Sequence, residues 1–201
     1  MASNGERMEN EMTWQKNVVL YLHDLIYMLI AVLLVFLLFF RVIVVSGDSM
    51  KMSLLDGDYL LLLSNTFCPE PEYGDIVVIS KKSFDNGTPI VKRVIATEGQ
   101  TVDLDLIHGI VYVDGIPLEE EYINNPTISS WGTEFPLTVE ENCIFVMGDN
   151  RAVSKDSRDP EIGQVDCREI LGKAIFLMMP GDDKGDEELD FDRIGVIKFN
   201  E

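Results

Sequence analysis

The run from Leu25 to Phe40 carries no charged residue, and no other feature restricts the fold of this chain so strongly. At about 1.5 Å per helical residue it covers only ~24 Å. Continued to Val45 it is about 21 residues and ~31 Å, the thickness of a bilayer's hydrocarbon core. Arg41 would then sit near one end, where its guanidinium reaches the headgroups, with His23 and Asp24 marking the other. The competing reading is a cleavable secretory signal, which calls for a basic leading segment and an apolar stretch of about 7–15 residues. Here Arg7 and Lys16 face Glu6, Glu9, Glu11 and Asp24, and the apolar run is longer. The sequence predicts an N-terminal tail over 1–24, polar and flexible in residues 1–17, a transmembrane helix over 25–45 and a domain over 46–201. Orientation is not encoded by charge, because Arg41 and Lys51 offset Arg7 and Lys16.

Beyond residue 42 the pattern changes to short β runs. Tyr59–Leu63, Ile76–Ser80, Ile90–Ala96, Gly109–Val113, Ile144–Met147 and Lys173–Met178 are rich in Val, Ile, Leu and Phe. Turn signals separate them, among them Asp56-Gly57-Asp58, Tyr73-Gly74-Asp75, Asp85-Asn86-Gly87 and Gly148-Asp149-Asn150. Strands at this spacing, with no amphipathic helix between them, predict a mainly β domain, an antiparallel sandwich or barrel. Asp114-Gly115 reads as a two-residue hairpin turn joining Gly109–Val113 to Ile116–Leu118. Glu119–Glu134 shows no regular pattern and reads as a long surface loop. The stretch 182–192 holds seven acids and one lysine and reads as a solvated loop before a last strand, Ile194–Phe199.

The charge balance excludes some partners. With 35 acids against 16 bases, a net charge of −19 repels phosphate backbones, so no nucleic acid is expected. Cys68, Cys143 and Cys167 have no CxxC spacing and read neither as a disulfide framework nor as a zinc site. His23 and His108 are the chain's two histidines, too few for a histidine metal centre. No metal and no cofactor are expected.

Two residues suggest chemistry. Ser49 lies in Val44-Val45-Ser46-Gly47-Asp48-Ser49-Met50, and a serine hydroxyl is a poor nucleophile until a base removes its proton. Neither histidine is well placed: His23 is in the apolar segment, and His108 precedes a turn. A lysine can serve if its pKa falls from ~10.4 to about 7–8, and burial among apolar groups does this. Lys92 suits the role. On a strand, Ile90 and Val94 share its face while Arg93 points to the other side. Each residue also has an ordinary structural reading. A serine between Asp48 and Met50 is commonly a turn residue, a strand lysine commonly snorkels, and Asp156 with Arg158 would make an ordinary surface ion pair.

The order of motifs decides between these readings. Ser46-Gly47-Asp48-Ser49-Met50 is followed by Leu54, Gly57-Asp58, Gly74-Asp75-Ile76-Val77-Val78 and Val91-Lys92-Arg93-Val94-Ile95. Phe145-Val146-Met147-Gly148-Asp149-Asn150-Arg151 comes next, with Ser154 and Asp156-Ser157-Arg158, and the match resumes at Asp192-Arg193-Ile194-Gly195-Val196-Ile197. This series resembles the type I signal peptidase family, in its Gram-positive form with a single N-terminal anchor. The resemblance implies a β domain of the signal-peptidase type and a Ser/Lys endopeptidase acting on signal peptides of exported preproteins. It implies Ser49 as nucleophile, Lys92 as general base and Ser154 orienting the lysine amine. Asp156 and Arg158 would brace that loop, and Val45, Met50 and Leu54 would line small substrate pockets. The Ser49 N–H would stabilise the oxyanion. Where some relatives add a serine hydroxyl, this chain has Gly47. Membrane lipid is the second implied partner, with the domain on the extracytoplasmic face and residues 1–24 in the cytosol.

There are departures from the family pattern. Met52 and Ser53 stand where the family usually has Pro-Thr, which implies a looser turn, and the acidic stretch 182–192 is atypical. Two alternatives remain. One is a non-catalytic, chaperone-like assembly protein on the same fold. The other is a self-cleaving repressor, which would need a DNA-binding domain in place of the apolar helix.

Overall fold

The computed structural model describes residues 4–67, 70–182 and 189–197. Cys68, most of the acidic stretch and the end of the expected last strand lie outside the described residues.

The chain divides after Phe39 into a helix and a β domain. The helix α1 spans Asn4–Phe39, so it starts well before residue 25 and stops short of Val45. No proline interrupts it and no glycine follows Gly5 before Gly47, while Glu, Met, Gln and Lys favour helix. The segment expected to be a flexible tail is therefore helical from Asn4. Within α1, Trp14–Phe39 is 26 residues, long and apolar enough to cross a membrane. His23 and Asp24 fall inside this span rather than at its end. At the other boundary β-branched residues take over. Phe40–Val44 forms β1, which pairs antiparallel with β2 (Tyr59–Ser64) in the register Phe40↔Leu63 to Val44↔Tyr59. Arg41 thus stands on a strand opposite Leu62, not at a helix end.

Among the described residues the β domain adds ten more strands. They are β3 (Ile76–Ile79), β4 (Ile90–Thr97), β5 (Thr101–Asp105), β6 (Ile110–Val113), β7 (Ile116–Pro117) and β8 (Leu137–Thr138). Then follow β9 (Cys143–Met147), β10 (Val165–Asp166), β11 (Ile170–Met179) and β12 (Gly195–Val196). The larger sheet runs β1-β2-β11-β3-β4-β9-β10, with β12 added on β11; the smaller runs β7-β6-β5-β8. All pairings are antiparallel, as expected. Register shifts in β11 and β4 let the large sheet curl into a half-barrel. The Asp114-Gly115 hairpin is present, both residues having positive φ, as a type I′ turn requires.

Central β3 shows why a continuous apolar run is needed. It lies between β11 and β4, and all four residues, Ile76–Ile79, are buried. Among the described residues the apolar core divides into three clusters. One packs Val45, Met50 and Leu54 against Leu60, Leu62, Ile76, Val78 and Val91. A second contains Val77, Ile79, Val94, Ile144 and Val146, with Ile90 against it. The third, around Phe145 and Val102, joins the small sheet to β9. The Ser49 turn is therefore held from below by its own neighbours, Val45 and Met50. The segment 119–134 has no strand or helix, yet it is anchored: Tyr122 and Thr127 are buried within it.

Candidate active site

Ser49 lies in the turn after β1, and Lys92 lies on β4 opposite Val77 of β3. The Lys92 amine is 2.8 Å from Ser49 Oγ and donates to the carbonyl of Val91 at 2.9 Å. Lys92 is only 2% exposed. Burial lowers its pKa from 10.5 to about 8; Asp156 and Asp149 pull it back upward, and Arg158 pushes it down. The amine therefore becomes mostly neutral above about pH 8, well below the range of an ordinary lysine. With one N–H spent on the Val91 carbonyl, which can only accept, a neutral amine has a lone pair available for the Ser49 hydroxyl.

The acids near Lys92 are themselves engaged. Asp149 accepts two bonds from Arg93, at 2.8 Å from Nε and 2.7 Å from Nη2. Asp156 accepts two from the Arg158 guanidinium, at 2.8 Å and 2.9 Å, and takes the Gly148 N–H at 3.0 Å. Both pairs are buried rather than at the surface. Each guanidinium offsets a carboxylate that would otherwise keep the lysine charged. Asp156 and Arg158 are thus brought together as a pair, and Arg158 also donates to the Arg151 carbonyl.

Gly148 lets the Gly-Asp-Asn turn approach the serine turn. A Cβ there would lie 2.2 Å from Ser154 Oγ and 2.5 Å from the Ser49 carbonyl oxygen. Ser154 is fully buried, but its hydroxyl makes no hydrogen bond among the described residues. The bond to the Lys92 amine that the resemblance implied is not formed in this structure.

A groove of about 360 Å³ opens beside Ser49, lined by Ile43–Ser46 on one side and Thr88–Lys92 on the other. Val45 borders it. Met50 is packed in the core, and Leu54 lines a separate cavity with Ser53, Arg93 and Tyr122. Met52 adopts φ 103, a conformation closed to proline. The departure from Pro-Thr thus goes with a different backbone rather than a looser version of the same one. Ser53 Oγ accepts from Arg93 Nη2 at 3.0 Å, tying the turn to β4.

Several residues of the site had no role assigned from sequence. Arg93 bonds Asp149, Ser53 and the Gly74 carbonyl and lies 4.0 Å over the Tyr122 ring. Arg151 pairs with Glu120 and Thr127 of the irregular segment. The available signal was an arginine within an apolar strand, which needs an acid wherever it is buried. Its partner, more than fifty residues away, carried no such mark. Among the described residues no group of His, Cys, Asp or Glu is arranged to hold a metal.

A part-buried serine–lysine contact on a curled antiparallel sheet fits one class, the serine hydrolases with a lysine in the place of histidine. Comparison with known proteins narrows it. Residues 18–179 match the family described as signal peptidase, peptidase S26. A probable signal peptidase I-1 of Synechocystis is 39% identical over 144 residues, covering 68% of this chain and 69% of the relative. A signal peptidase I of Bacillus licheniformis is 30% identical over 181 residues, covering 86% and 95%. A solved signal peptidase I from Enterococcus faecalis superposes with a TM-score of 0.44 at 30% identity, over 52% of this chain and 97% of that one. The chain belongs to the type I signal peptidase family.

Proposed function

We propose that this chain is a membrane-anchored serine endopeptidase that removes signal peptides from exported preproteins, with Ser49 as nucleophile and Lys92 as general base. The observation that carries this reading is the 2.8 Å contact between a buried, pKa-depressed amine and a serine hydroxyl. Neutral Lys92 takes the Ser49 proton as Oγ attacks the scissile carbonyl. The Ser49 N–H stabilises the tetrahedral oxyanion, and the ammonium returns its proton to the departing amine. Water then repeats the sequence on the acyl-enzyme and restores Ser49. Asp156 and Arg158 hold the turn of Gly148, and Ser154, packed against that turn, orients the amine during the reaction.

The substrate binds extended beside β1, the strand at the end of the large sheet's order. Val45 shapes the groove there, which favours small side chains near the cut. The apolar span Trp14–Phe39 anchors the enzyme, with the β domain on the extracytoplasmic face, where translocated preproteins emerge, and the N-terminus in the cytosol. The test uses purified full-length chain in detergent and a preprotein. Wild type should release a mature fragment of defined N-terminus, and Ser49→Ala should release none. Cleavage by Ser49→Ala would sink the assignment. Protease added outside intact spheroplasts should digest the β domain.

A further inference from the structure

The turn that carries Ser49 is clamped by Asn150. The Asn150 side chain donates from Nδ2 to the Asp48 carbonyl oxygen at 3.1 Å, and its backbone N–H donates to the Ser49 carbonyl at 3.0 Å. Its Oδ1 in turn accepts from Asn125 Nδ2 at 3.1 Å. This pattern fixes the amide orientation, since a flipped Asn150 would set oxygen against the Asp48 carbonyl and NH₂ against the Asn125 NH₂. Asn150 is 6% exposed, and Asn125 belongs to the irregular segment between β7 and β8.

The Asp48 carbonyl and the Ser49 N–H are opposite ends of one planar, trans peptide unit. A donor held on the carbonyl oxygen therefore fixes where the N–H points. It also draws electron density toward the oxygen and makes the N–H a stronger donor. We propose that Asn150 is a positioning residue that aims and polarises the Ser49 N–H at the developing oxyanion, and that Asn125 locks Asn150 in that role. The inference rests on the reading of Ser49 as nucleophile. Gly47 sharpens the need for it. That position offers no hydroxyl, and its own N–H is occupied by Asp56 Oδ1 at 2.6 Å, which leaves the Ser49 N–H to carry the charge.

A purely structural role for Asn150 makes a different prediction from an aiming role, and kinetics separates the two. Full-length Asn150→Ala and Asn125→Ala would be assayed in detergent with a signal-peptide substrate, at a pH above the acid limb so that the base state is constant. Two ligands accompany the assay: a peptide aldehyde, which forms a tetrahedral adduct with Ser49 Oγ, and the same peptide as its alcohol, which does not. Asn150→Ala should lower kcat by about 10–100-fold with KM within about twofold, because a donor is misaimed rather than deleted. Aldehyde affinity should weaken by a similar factor and alcohol affinity should not change. Asn125→Ala, at a half-buried site that tolerates truncation, should lower kcat by about 2–5-fold with the same selectivity for the aldehyde. Wild-type kcat in both variants, or equal weakening of aldehyde and alcohol, would overturn the inference while leaving Ser49-dependent cleavage intact. Absence of Ser49-dependent turnover in the wild type would overturn the underlying reading, and this one with it.

Discussion

The Lys92 amine lies 2.8 Å from the Ser49 hydroxyl, and the contact joins the turn after β1 to β4, although β2, β11 and β3 stand between these strands in the large sheet. Lys92 is buried and its pKa is lowered to about 8. If the amine is the base, kcat/KM should rise with pH and level off above an apparent pKa near 8. Lys92→Arg should be as inactive as Lys92→Ala, because a guanidinium keeps its proton at any accessible pH. Substantial activity in Lys92→Arg would mean that Lys92 serves as an ion-pairing group, not a base.

The same shift has a stability consequence of definite sign. Below pH 8 the lysine is protonated in folded and unfolded chains alike, and the full cost of burying its charge is present. Between about 8 and 10.5 the unfolded chain holds more protons than the folded one, so this residue's contribution to stability rises with pH. The shift corresponds to on the order of 3 kcal/mol. In urea titrations, the stability of Lys92→Met relative to wild type should therefore be greatest at pH 7 and should decline between pH 8 and 10.5. A pH-independent difference would contradict the depressed pKa.

Arg93 and Asp149 are both buried and paired through two hydrogen bonds. Asp149→Asn leaves the guanidinium short of its counter-charge and should cost about 3–5 kcal/mol. Arg93→Met with Asp149→Asn should cost less than the sum of the single changes, read by denaturant midpoints in a double-mutant cycle. Additivity would show that the pair is not coupled.

Met52 is 62% exposed and holds φ 103, in the region that favours glycine. Met52→Gly should stabilise the protein by about 1 kcal/mol, and Met52→Pro should destabilise it despite matching the family pattern. Thermal melts of the two variants decide this. A stabilised Met52→Pro would show that the turn prefers the proline-compatible backbone.

The Ser154 hydroxyl is buried with no hydrogen-bond partner among the described residues. Its removal in Ser154→Ala should leave the melting temperature unchanged or slightly raised, since no bond is lost. If the hydroxyl receives the Lys92 amine during turnover, kcat should still fall, though less than in Lys92→Ala. A large loss of stability would point to a structural bond instead.

Periodicity and local chemistry were enough to read the apolar helix, most of the strands of the large sheet and the Asp114-Gly115 hairpin, because each is decided by neighbours in sequence. The Ser49 and Lys92 pair was legible through motif order, and Lys92 through the apolar residues flanking it. The exchange of helix for strand at Phe40 was not legible. An apolar run rich in Val and Ile suits either state, and pairing with Leu60–Leu63 decides it. Nor could sequence place Met50 and Leu54 in the core instead of the groove, because a turn's side chains take directions that only the packed backbone sets. The bonds from Arg93 to Asp149 and from Asn150 to Asp48 join residues 56 and 102 positions apart. Such contacts depend on strand register and on the absence of a side chain at Gly148. Sequence alone determined which groups were available for chemistry; the tertiary fold decided which of them meet, because burial and long-range pairing belong to the folded chain and not to any stretch of it.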